Sequence, residues 1–66
     1  MNILDAMKIV KNGGRIIRKN IVNPGNRHIS LNTSTGDILV WSGRTFRHPV
    51  NFTVEDILAD DWVEVV

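Results

Sequence analysis

Sixty-six residues hold one small domain, spanning 1–66, and the absence of cysteine excludes disulfides, thiolate-bound metals and cysteine redox chemistry. His28 and His48 stand apart with no zinc-ligand pattern around them, so the support left for so small a core is a partner subunit, and a homo-oligomer is expected. The net charge of +1 is unevenly spread: all eight Lys and Arg precede Pro49 with only Asp5 and Asp37 among them, whereas Glu55, Asp56, Asp60, Asp61 and Glu64 follow. Such segregation points either to an anionic partner for the basic part or to an acidic tail folded back on basic strands, and the residues leave both open.

Residues 2–12 read as an amphipathic helix. Asn2 is placed to cap it, Asp5 suits the positive end, and Ile3, Met7 and Val10 form a stripe that Ala6 and Ile9 widen. Asn12-Gly13-Gly14 ends it. Arg15–Lys19 has the β-branched centre of a strand, and Asn23-Pro24-Gly25-Asn26 is a turn. His28–Asn32 alternates polar and apolar, Thr33–Asp37 is a second turn, and Ile38–Trp41 is a more continuously buried strand. Ser42-Gly43 reads as a bend and Arg44–Arg47 as a short strand, with Pro49 arguing against a central position in a sheet. Thr53 and Asp56 have the spacing of a capping box for a short helix through Leu58, and Trp62–Val65 forms a last strand. The fold class is therefore α+β: an N-terminal helix packed on a curled antiparallel sheet of four to five strands, with a short C-terminal helix before the last strand.

No nucleophile elbow, zinc-protease motif or phosphate loop is present, and Asp60-Asp61 reads as a solvated turn rather than a cation site. A non-enzymatic binding domain without a cofactor is expected. Asp5 and Lys8 interrupt any secretory apolar region and no run is long enough to span a bilayer, so the chain is expected in the cytoplasm without a membrane partner. Arginine dominates the basic strands and suits phosphate, and Arg18 and Arg44 are candidates to bind it. Trp41 offers either a stacking face or core packing, and Arg18 either a ligand contact or a pair with the acidic tail. The backbone at Ser42-Gly43 permits close approach of a ligand. Trp62 reads as core.

Three blocks in order carry a resemblance: Leu4-Asp5-Ala6-Met7 through Gly14 and Arg15–Arg18, then Gly36–Trp41, and most specifically Asp56-Ile57-Leu58-Ala59-Asp60-Asp61-Trp62. Together they resemble the second Thoeris anti-defence family of bacteriophage proteins. The resemblance implies a homo-oligomeric sponge that sequesters a cyclic ADP-ribose derivative or a cyclic oligonucleotide without cleaving it and so blocks bacterial immune signalling. It carries ligand-binding expectations onto Met7, Arg18 and Trp41. Where the family places Gly-Trp, this chain has Asn20-Ile21, so those two enter the candidate site by position. The alternative reading is a protein-binding module that inhibits or redirects a host protein; binding to nucleic-acid polymers fits the near-neutral charge less well.

Overall fold

A computed structural model describes residues 1–20, 27–42 and 46–65. The expected turn at 23–26, Ile21, Gly43 and Arg44 lie outside the described residues. Helix α1 spans Ile3–Lys11, and Asn2 caps it by accepting the Asp5 backbone N–H at 2.9 Å. Its C-terminus closes with the Gly13 N–H on the Val10 carbonyl and the Gly14 N–H on the Ile9 carbonyl, at 3.0 and 2.9 Å. That is a Schellman closure, and it requires the left-handed φ of 88° that Gly13 supplies.

The strands are β1 (Ile16–Arg18), β2 (His28–Leu31), β3 (Ile38–Ser42), β4 (Phe46–Pro49) and β5 (Trp62–Glu64), with helix α2 (Val54–Leu58) before β5. They form one antiparallel sheet in the order β4-β3-β2-β1-β5, not closed into a barrel. The fold is the expected α+β arrangement. Ser42 is the last residue of β3 rather than part of a bend, because it still pairs with Phe46. Pro49 is on an edge strand, where its missing N–H interrupts no ladder. The other edge, β5, is met by Met1, whose carbonyl accepts the Trp62 N–H while its amine donates to the Trp62 and Asp60 carbonyls.

Successive side chains of a strand point to opposite faces of the sheet. Ile16, Ile29, Val40 and His48 stand opposite one another across β1 to β4 and share one face. The helix α1 packs on the β1–β5 side of that face, where Ala6, Val10, Ile16 and Trp62 form a buried cluster. Ile3, Met7, Ile9, Ile29, Leu31, Phe52 and Ala59 surround it. Each large side chain so buried contributes about 1.5–3 kcal/mol. No helix among the described residues is long and apolar enough to cross a membrane.

Candidate ligand-binding cleft

Helix α1 covers only part of the sheet. Beside it, towards β3 and β4, the same face floors an open cleft of about 290 Å³. Ile16, Ile29, Val40, Val50, Phe52 and Trp62 supply the apolar lining. The ionisable residues that border it are Arg18, Arg27, His28, His48 and Asp56; the His28 ring turns to the opposite face, and of the rest only Asp56 among the described residues is an acid. An apolar floor with a few convergent polar groups is the usual form of a small-molecule site.

Arg18 follows Ile16 by two positions and therefore shares its face. Because β5 lies antiparallel beside β1 with Arg18 opposite Trp62, the acidic segment preceding β5 is brought onto the guanidinium. Arg18 Nε donates to Asp61, and Arg18 Nη1 donates to Asp56 Oδ1 at 2.9 Å. The guanidinium also lies over the Trp62 ring, 5.6 Å from its centroid. Asp61 in turn accepts the Asn20 backbone N–H at 3.1 Å. Asp56 completes the capping box: it accepts the Thr53 N–H at 3.0 Å while its own N–H donates to Thr53 Oγ1 at 3.1 Å.

These bonds set the local acidities. Hydrogen bonding from Arg18 holds the Asp61 carboxyl below the usual range, against the opposing effect of desolvation. Asp56 is held low first by the Thr53 backbone N–H and further by Arg18, again against desolvation. The Arg18 guanidinium is correspondingly raised, chiefly by its bond to Asp61. The acidic tail thus folds back on the basic strand, as one reading of the charge segregation has it.

Of the expected site residues that are described, Arg18 alone lines the cleft. Trp41 neighbours Val40 and projects from the other face. It stacks with His28 at 6.3 Å between centroids and 5° between planes, and Arg47 lies over it at 5.2 Å. Its indole Nε1 is buried and makes no hydrogen bond among the described residues. Both flat sides of the ring therefore face side chains of this chain, and a ligand ring stacking there has to displace one of them. Met7 is half-buried against the core cluster, away from the cleft. Asn20 is exposed and contributes its backbone N–H to Asp61. Ser42 ends β3, and Ile21 and Arg44 lie outside the described residues.

Sequence reasoning missed the cleft residues Val40, His48, Val50, Phe52 and Asp56. Alternation in β2 marked Ile29 as inward-facing, but the unbroken apolar run Ile38–Trp41 gives no such phase for β3.

The N-terminal helix, the sheet and the Asp56–Trp62 segment that builds this corner all fall within residues 1–65, which match the model of the Thoeris anti-defense 2-like domain. The chain belongs to that family. No curated protein matches it. As a Thoeris anti-defense 2-like domain the chain has support for a phage anti-defence role, and the family is one of binding domains rather than catalysts. Among the described residues no cluster of three or more His, Asp or Glu is arranged to hold a metal ion.

Proposed function

We propose that this Thoeris anti-defense 2-like domain binds and sequesters an anionic signalling nucleotide, a cyclic ADP-ribose derivative or a cyclic oligonucleotide, and releases it chemically unchanged. The observation that carries this reading is the composition of the cleft. Its apolar floor suits the face of a nucleobase, and Arg18 and Arg27 on its border suit phosphate. The proposed locale is the cytoplasm of an infected host, where such signals act.

A second copy of the chain completes the proposal. A cleft of about 290 Å³ lies at the small end of the roughly 300–1,000 Å³ typical of ligand sites, so one chain encloses only part of a cyclic dinucleotide. The side chains of Leu4, Val54, Ile57 and Leu58 are exposed at 71, 72, 50 and 78% on α1 and α2, and these two helices touch. Helix α2 turns Asp56 inward to Arg18 and its apolar residues outward, the reverse of a helix that serves its own core. A homo-oligomer through this face covers them and adds burial that so small a core lacks. Under this arrangement Trp41, on the opposite sheet face, contributes to a ligand site only across a subunit boundary or after Arg47 swings away.

The test is a thermal-shift panel of cyclic di- and trinucleotides and cyclic ADP-ribose isomers, run on the wild type and on Val40→Phe. A ligand present at 100 times its Kd adds about 2.7 kcal/mol to the folded state. The wild type is expected to shift with at least one nucleotide, and Val40→Phe, which fills the cleft from its floor, to lose that shift. An equal shift in both proteins places the ligand elsewhere. No shift in the wild type favours the protein-binding module, with the exposed α1–α2 face as its contact.

A further inference from the structure

Asp56 is the one carboxylate among the described residues that border the cleft, and it sits on the Arg18 guanidinium, which borders the cleft as well. The two contacts of Arg18 differ in kind. Asp61, on the Nε side, does not border the cleft and is fixed behind it by the Asn20 N–H. Asp56, on the Nη1 side, does border the cleft and belongs to a helix that buries none of its residues. Besides the capping box, the side-chain bonds that tie α2 to the sheet here are Arg18 Nη1 to Asp56 Oδ1 and Trp62 Nε1 to the Asp56 carbonyl at 3.0 Å. Helix α2 also touches α1, but it buries none of its side chains within the chain, so these two polar bonds are the main hold on the end that carries Asp56.

We propose that the Nη1 edge of Arg18 is an anion subsite held in this structure by the chain's own Asp56 carboxylate, and that a ligand phosphate exchanges with Asp56 there, releasing α2 from the sheet. The inference rests on the reading of the cleft as a ligand site. Asp61 stays on Nε throughout and keeps the guanidinium oriented. The exchange replaces one charge-assisted hydrogen bond with another, so Arg18 is never left unpaired. Asp56 keeps its bond to the Thr53 N–H when it leaves, because that bond lies within α2 and its cap. A neutral ligand offers Arg18 only a weaker hydrogen bond than the carboxylate it would displace and leaves the latch closed, so Asp56 acts as a selector for anions.

The experiment is an NMR titration with adenosine monophosphate of the wild type, Asp56→Asn and Asp60→Asn, following the Ile29 and Val40 methyls and the Trp62 indole N–H. Asparagine keeps an oxygen for the Thr53 N–H but gives up the charge. Asp60→Asn makes the same change of net charge at an exposed residue outside the cleft. Asp56→Asn is expected to bind about tenfold more tightly than the wild type, a difference of the order of one charge-assisted bond, and Asp60→Asn to match the wild type. In the wild type itself, the Trp62 indole resonance is expected to move with occupancy, because its acceptor is the Asp56 carbonyl. Methyl shifts of equal affinity in all three proteins, with the Trp62 resonance still, overturn the latch and leave the cleft standing. Silent methyls in every protein overturn both.

Discussion

Replacing Trp62 with alanine is expected to leave the chain largely unfolded at 25 °C. The side chain is 2% exposed and sits in the buried cluster with Ala6, Val10 and Ile16. It packs edge-on against Phe52 at 5.9 Å and 79°, lies under the Arg18 guanidinium, and donates Nε1 to the Asp56 carbonyl. One residue thereby joins β5, β1, α2 and the segment after β4. Truncating a buried tryptophan to alanine costs about 3–5 kcal/mol. A domain of this length holds roughly 3–10 kcal/mol in all, at about 0.05–0.15 kcal/mol per residue. The cooperative thermal transition, followed by circular dichroism, is expected to vanish or fall below room temperature. Trp41→Ala is the control: that ring is half-buried on the opposite face, and its loss is expected to leave a cooperative transition. Similar midpoints for the two variants contradict the assignment of Trp62 as the keystone.

Arg18→Met is expected to flatten the acid dependence of stability below about pH 5 as well as to abolish anion binding. In the wild type Asp56 and Asp61 have folded-state acidities held below the ordinary value, so their pairing is fully present above about pH 5. Stability falls as pH drops through the lowered values, below about pH 4. Without the guanidinium Asp56 keeps the Thr53 N–H and Asp61 the Asn20 N–H, but both lose the hydrogen bond and opposite charge that Arg18 supplies. Their folded-state acidities then move back towards the unfolded values, so less stability is lost on acidification. The variant is less stable than the wild type at neutral pH, and the difference narrows as the medium is acidified from about pH 5 towards pH 3. Thermal midpoints measured across that range check it. A variant whose profile runs parallel to the wild type contradicts the double pairing of Arg18.

What the sequence made legible is mostly what is local. The Asn2 cap with Asp5, the Gly13-Gly14 ending and the Thr53–Asp56 box each lie within a few residues, and the backbone chemistry that requires them is visible in the string. The edge position of β4 follows from Pro49 for the same reason. Strand order is different. Nothing near Arg18 announces that β5 will insert beside β1, and that register alone brings Asp61 and Asp56 to its guanidinium. The faces of β3 were equally hidden, because four consecutive apolar residues carry no period. Trp41 therefore reads as a partner of Arg18 in one site, whereas the pleat sets the two on opposite sides of the sheet. The cleft itself arises where α1 stops covering the sheet, a property of helix length against sheet width that no single residue encodes.

A sponge holds its nucleotide without altering it. The most direct measurement incubates the folded protein with whichever nucleotide stabilises it, removes unbound ligand, denatures the protein and identifies what is released by chromatography and mass spectrometry. The same nucleotide is expected to return unchanged, in an amount that tracks the protein and does not decline with hours of incubation. A product that accumulates with time above the protein-free blank contradicts it and makes the cleft an active site.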